Sequence, residues 1–376
     1  MARKLKSDKL LFTASLLLVC TSVVMVYSAS AFIAMENHGD PYLFLFKQGT
    51  WALLGIALVP VMMRIDYRTY RQPVVIWTGL AIVGIALVAV LFGHPIKGAS
   101  RWLGFGPLGV QPSELAKLVV IVFIAAVLER RMDRIDDPAS LLPIGIVLAA
   151  VVALILREPD LGTSVSIVVI AAVMIFAAGI DYRYVAGLIL AAIPAAYVLL
   201  AFSEYRLRRV SAFLNPWADP LGDGFQMIQS MIAVGTGGIF GRGLMAGVQK
   251  QFFLPEPHND FIYAVISEEL GFAGATIVLA CFCVIAWRGL RTSMRAPDRF
   301  GAFLALGLTT MMAFQAFFNV SVVLGLLPTK GIPLPFVSYG GSSLLINLVG
   351  MGILLNVSQH TSSHHVVTTS LVPQDA

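Results

Sequence analysis

Phe252–Gly274 reads FFLPEPHNDFIYAVISEELGFAG, and here the longest polar stretch of the chain turns into a hydrophobic run. Pro255 and Pro257 suit a chain turning into a helix, because proline fixes φ and is tolerated in the first helical turn. Asp260 stands at the junction. An ionisable group at the head of a membrane-length apolar run is expensive and usually functional. Continued as one helix of 3.6 residues per turn, Asp260, Ala264, Ser267, Gly271 and Gly274 fall within about 40° of one line. Such a face either lets a neighbouring helix pack closely or leaves room for a long ligand beneath the acid.

Composition sets the class around that junction. Of 376 residues, 58% are hydrophobic and 12% charged, about half the charged fraction of a soluble domain, and the mean hydropathy is +0.83. Apolar runs of about 20 residues recur along the chain, as membrane-spanning helices require. The fold class is therefore all-α, a polytopic integral membrane protein. The first run, Leu10–Ala34, is too long for a cleavable signal peptide and reads as the first span. A net charge of +5 belongs to the ends of spans, which argues for a membrane and against nucleic acid. The glycines of Gly235–Leu244 match no phosphate-binding loop. Cys20, Cys281 and Cys283 lie inside apolar runs without metal-site spacing and read as small buried hydrophobes.

Basic residues orient the spans. Arg3, Lys4, Lys6 and Lys9, then Arg64, Arg68 and Arg71, then Arg130, Arg131 and Arg134, then Arg183, and last Arg288, Arg291, Arg295 and Arg299 mark the cytoplasmic side. About ten spans follow, with both termini cytoplasmic. Glu36, His38 and Asp40 fall in the first outer loop, and Val185–Phe202 is the seventh span. A large extracytoplasmic loop, Ser203–Asn259, separates spans 7 and 8. Residues 1–357 form the transmembrane domain, and 358–376 a polar, disordered tail.

On this topology the unusual polar groups gather on or near the outer face: Lys97, Arg101, Glu114, Lys117, Arg157, Glu158, Asp160, Arg206, Arg208, Arg209, Lys250, Glu256, His258, Asp260 and Lys330. In Gln111–Lys117 a proline opens a helix and Glu114 lies three residues before Lys117 on the same side, a pair read as facing an internal polar cavity. Asp160 precedes Gly162 and Thr163 at another helix start, where capping and a site role are both open. Trp102 reads as an interface anchor. The planar fork of Arg101 suits a phosphate or carboxylate. One well-placed carboxylate among several cations fits a lipid-linked diphosphate: cations hold the departing charge and a carboxylate deprotonates an attacking hydroxyl. Composition alone does not separate this from a lipid transporter.

Several motifs then occur in order: GASRW (Gly98–Trp102), QPSE (Gln111–Glu114), PDLGT (Pro159–Thr163), NPWADPLGDGFQ (Asn215–Gln226), LPEPHNDFI (Leu254–Ile262), EELG (Glu268–Gly271) and PLPFVSYGGSS (Pro333–Ser343). Together they resemble the SEDS family (shape, elongation, division and sporulation proteins), polytopic peptidoglycan polymerases, over about Lys9 to Asn356. PTKG (Pro328–Gly331) and QSMIAVG (Gln229–Gly235) lean to the division type. Asn259 departs from the threonine usual in the family. The resemblance implies a glycosyltransferase that polymerises lipid II outside the cytoplasmic membrane and releases undecaprenyl diphosphate. It places the catalytic aspartate at Asp260, with Arg101, Glu114, Lys117, Asp160, Arg209, Lys250, Glu256, His258, Lys330 and Ser342 as substrate-binding candidates. It implies a class B penicillin-binding protein as crosslinking partner, alongside other division or elongation membrane proteins. A divalent cation, magnesium or manganese, is compatible with the chemistry, although no residue set in the sequence forms a metal site. A lipid II flippase and a non-catalytic scaffold are the competing readings. A transporter would hold its substrate near mid-membrane at broken helices, and the outer-edge cluster favours chemistry.

Overall fold

The computed structural model describes residues 7–93, 101–104, 109–134, 138–181, 183–184, 186–187, 190, 194, 204–329 and 331–369. The described residues are helical, without strands; Leu103 and Val110 form an isolated bridge. The helices are α1 (Lys9–His38), α2 (Leu43–Arg64), α3 (Pro73–Leu91), α4 (Pro112–Arg131), α5 (Pro138–Arg157), α6 (Leu161–Ala177), α7 (Glu204–Leu214), α8 (Phe225–Thr236), α9 (Ile262–Met294), α10 (Arg299–Val323) and α11 (Gly341–Thr369). Seven of them are long and apolar enough to cross a membrane, namely α1, α2, α3, α5, α9, α10 and α11, and α6 is a shorter apolar helix. The charged residues of α4, not its length, set it apart from these. The expected span Val185–Phe202 lies, but for residues 186, 187, 190 and 194, outside the described residues. The chain is thus a multi-pass helical membrane protein.

Local chemistry fixes the helix ends. The Asp8 carboxylate caps α1 by accepting from the amides of Leu10 and Leu11, and Gly39 closes the helix at φ 72°, a conformation that favours glycine. Proline opens α3 and α4, where a missing N–H leaves no bond unmade. Asp298 caps α10 by accepting from Gly301 N. Glu36 and His38 belong to α1 and not to the loop expected there. α11 continues as helix past 357 to Thr369, and Ser358 Oγ accepts from Asp8 N, so the expected boundary at 357 is not a break in the fold.

α4, α10 and α11 form the centre, with α2 against α11, α9 against α10, and α1 against α9 and α2. Most of α4 and α10 is buried, whereas α3 offers much of its surface outward, as expected for lipid-facing apolar helices. Cys20 and Cys283 are exposed, which corrects the expectation that they are buried; they sit on outward faces where a small apolar group is tolerated. One end of the bundle is tied by Arg288 to Asp8 and by Tyr67 Oη, which donates to Asp298 Oδ2 at 2.6 Å. Burial and the Asp298 contact push the Tyr67 phenol up, beyond any physiological pH.

α9 is not one rod. Gly271 adopts φ 67° and ψ −168° inside it, and the Tyr263 hydroxyl reaches the carbonyl of Ala275, twelve residues on, at 3.2 Å. In a straight helix those positions are about 18 Å apart, so the short arm 262–270 folds back against the long arm 272–294. The long arm alone is about 34 Å, sufficient to cross a bilayer core. The predicted line from Asp260 through Gly274 is therefore broken: Gly274 belongs to the other arm.

Candidate active site

A break in a helix orphans carbonyls on one side and amides on the other. The glycine-rich segment Gly237–Gly243 supplies both sets of partners. Arg242 N and Gly243 N donate to the carbonyls of Glu268 and Glu269, both at 3.0 Å, while Phe272 N and Ala273 N donate to Gly238 and Ile239 at 2.9 and 3.0 Å. Side chains add to this elbow. Glu268 Oε1 accepts from Val248 N at 2.8 Å and Glu269 Oε2 from Met245 N at 2.9 Å. Close approach explains the glycines: a methyl group on Gly237 or Gly241 would collide with the carbonyl of Ser267 or Glu269.

The arm 262–270 leads back to Asp260, which lies outside the helix, partly buried, at the end of the Leu254–Asn259 loop. The N-cap position of α9 is Phe261 and carries no side-chain cap bond, so Asp260 does not cap this helix. Its peptide is pinned instead. Asn319 of α10 donates through one amide nitrogen to the carbonyls of Asp260, at 2.8 Å, and Ile332, at 2.9 Å. Ser338 Oγ donates to Asn259 O at 2.7 Å, and Tyr339 N to His258 O at 2.9 Å. Asn259, the departure from the family motif, donates through its amide to Glu256 Oε2 at 2.7 Å. A methyl group on Gly331 would stand 2.8 Å from Asp260 Oδ2, so Gly331 backs directly onto the carboxylate.

Burial pushes the Asp260 carboxyl up to about 6; Glu256 and Asp160 add to the shift, and Arg209 and Arg101 oppose it. Asp260, Glu256, Asp160, Arg101 and Arg209 are therefore electrostatic neighbours, and each cation is itself held. Arg101 donates to the carbonyls of Glu158, at 3.0 Å, and Pro159, at 2.6 Å. Arg209 of α7 donates to Thr329 O at 3.0 Å, in the loop behind Asp260.

The remaining candidates divide. Asp160 is 5% exposed and saturated: it accepts from Thr163 N and Thr163 Oγ1, Gln111 Nε2 and Ser113 Oγ. It caps α6, the first of the two roles open for it, and ties α6 to the head of α4. Lys117 and Glu114 pair at 2.8 Å, both buried near the head of α4. Lys250 is fully buried and committed to Glu269 and Ser28. His258 packs its ring between Phe44 and Tyr339. Ser342 is 2% exposed, and its hydroxyl meets no hydrogen-bond partner among the described residues. Lys330 lies outside the described residues.

Two participants, Asn319 and Gly331, escaped the sequence reading. Asn319 sits in an apolar helix whose other side-chain amide is Gln315, and a buried amide there was the available signal. Gly331 carries no signal beyond being a glycine. Glu158, 1% exposed with neither oxygen hydrogen-bonded among the described residues, has its carboxyl pushed to about 8 by burial and by Asp160, with Arg101 opposing. Among the described residues no group of three or more His, Cys, Asp or Glu side chains converges to hold a metal.

A family model of cell cycle proteins, grouping FtsW, RodA and SpoVE, matches residues 8–363. The chain belongs to the FtsW/RodA/SpoVE family. It is 45% identical over 353 residues, 93% of this chain and 94% of the relative, to a probable peptidoglycan glycosyltransferase FtsW of Geobacter metallireducens. It is 43% identical over 366 residues, 96% of this chain and 99% of the relative, to stage V sporulation protein E of Bacillus subtilis. Among solved structures, a chain of a peptidoglycan synthase complex described as coordinating polymerization and crosslinking matches with TM-score 0.76 and 31% identity, covering 95% of this chain and 99% of the other. The rod shape determining protein RodA of Thermus thermophilus matches with TM-score 0.69 and 27% identity, over 94% and 97% of the two chains. Membership in the FtsW/RodA/SpoVE family thus covers both halves of the elbow and the loop that carries Asp260.

Proposed function

We propose that this peptidoglycan glycosyltransferase polymerises lipid II at the outer face of the cytoplasmic membrane, with Asp260 as general base. The observation that carries the reading is the state of Asp260. Its backbone is pinned by Asn319, no side-chain hydrogen bond from the described residues occupies its carboxylate, and two arginines lie close enough to influence it. In the proposed reaction the carboxylate takes the proton of the acceptor GlcNAc 4-hydroxyl as that oxygen attacks C1 of the donor MurNAc. The C1–O bond to undecaprenyl diphosphate breaks, and the diphosphate leaves with the electron pair. Direct displacement of an α-linked leaving group gives a β-1,4 bond. Arg101 and Arg209 offset the charge of the departing diphosphate.

A crosslinking transpeptidase of the class B penicillin-binding type is the proposed partner. The likeness to a chain in a complex described as coordinating polymerization and crosslinking supports it. The test is incubation of purified protein, with that partner, on lipid II, followed by a gel for glycan strands. Wild type gives a ladder. Asp260→Asn, checked to be monodisperse and partner-bound, gives none, since loss of a general base costs about 10²–10⁴-fold. An Asp260→Asn protein polymerising at the wild-type rate would refute the catalytic assignment.

A further inference from the structure

Lys250, Glu268 and Glu269 are all fully buried, and the reaction above uses none of them. The Lys250 ammonium donates to Glu269 and to Ser28 Oγ of α1, and the Ser28 hydroxyl in turn donates to Glu269 at 2.7 Å. A buried ion pair is a poor way to gain stability, because well-packed apolar groups of similar volume do as well or better. It does impose a direction. Three elements converge on this pair: α1, the end of the Gly237–Lys250 segment, and the last turn of the short arm of α9. All of its constraints, with the capping bonds of Gly238, Ile239, Arg242 and Gly243, fall around the Gly271 pivot.

The far end of the short arm is one residue from Phe261 and two from Asp260. An arm of nine residues is about 13 Å long, so a turn of about 5° at the pivot displaces its far end by roughly 1 Å. Misplacement on that scale can lower a rate about 10²-fold. We infer that the Lys250–Glu269–Ser28 cluster is a positioning element for the reaction, fixing the angle of the elbow and hence the place of Asp260. The inference rests on Asp260 being the base.

Lys250→Met keeps the stem and removes the ammonium; Lys250→Arg restores a cation. Each full-length variant, with its transpeptidase partner, is assayed on lipid II for kcat and KM, and amide exchange is followed across 262–270. Lys250→Met lowers kcat by about 10–10²-fold, leaves KM within roughly twofold, and speeds exchange in the short arm, while 272–294 stays protected. Lys250→Arg recovers most of both. Unchanged exchange in Lys250→Met overturns the elbow as a constraint. Faster exchange with unchanged kcat overturns its part in the reaction, as does a loss confined to KM or one equal in the Met and Arg variants. If Lys250→Met yields no monodisperse protein, Glu269→Gln, which keeps an acceptor for Ser28, is measured in its place, and the same outcomes support or overturn the cluster's role. Asp260→Asn is run beside them: full activity there removes the base, while the exchange data judge the elbow separately.

Discussion

Burial holds the Asp260 carboxyl near 6, with Glu256 and Asp160 pushing the same way and Arg209 and Arg101 pulling back. A general base works best with a pKa close to the operating pH, and this one is charged at neutral pH with little basicity to spare. The polymerisation rate at saturating lipid II should therefore fall as pH drops through about 6, with the limb absent from Asp260→Asn. A profile without that limb would count against Asp260 as the base. Stability runs in the opposite sense. A folded pKa above the unfolded value of 3.8 stabilises the fold fully below 3.8, and that contribution is lost as pH rises through about 6. At pH 7–8 the ionised carboxylate burdens the fold, so Asp260→Asn should melt no lower than the parent. Glu158 differs in kind: at about 8 it is largely protonated at neutral pH, which lets a carboxyl without hydrogen bonds sit where a charge would be prohibitive.

Between elements, the site is a seam where four pieces of chain meet. The segment leading into α9 brings Asp260, α10 brings Asn319, residues 331–332 bring Gly331 against the carboxylate, and the first turn of α6 stands behind them. A methyl group on Gly162 would meet Ile332 at 3.0 Å and Gly331 O at 3.4 Å, so the loop is held from both sides. Gly331→Ala should place its methyl 2.8 Å from Asp260 Oδ2 and force the carboxylate aside. The expected result is a loss of about 10²-fold in kcat with the protein still folded, read by initial rates on lipid II beside a thermal melt. Wild-type rates in that variant would mean the loop yields and does not set the carboxylate.

At the scale of the whole bundle, α1 and the long arm of α9 run antiparallel, with Ser28 level with Glu269 at one end and Asp8 level with Arg288 at the other. The Arg288 end carries Lys9, Arg291 and Arg295, and in the proposed orientation the bias of basic residues assigns that end to the cytoplasm and Asp260 to the exterior. In a background lacking Cys20, Cys281 and Cys283, an impermeant thiol reagent applied from outside should label a cysteine at Asp223 and miss one at Asp133. Both positions have exposed side chains. Labelling at Asp133 alone would invert the orientation and with it the outward-facing site.

The sequence by itself determined the class and the chemistry. Apolar runs of bilayer length admit few alternatives to helices, since unpaired backbone groups in lipid are too costly, and the order of short motifs carried the family and the candidate Asp260. Tertiary structure decided what each polar group is for. Lys250, Glu114, Lys117 and Asp160 looked like parts of an open site because a sequence shows charge but not what faces it. In three dimensions each is buried with a partner, which makes it an internal tie of the fold. The elbow at Gly271 was hidden for a related reason: periodicity assumes one continuous axis, and only the glycine-rich segment, 28 to 34 residues upstream, supplies the capping bonds that let the axis break.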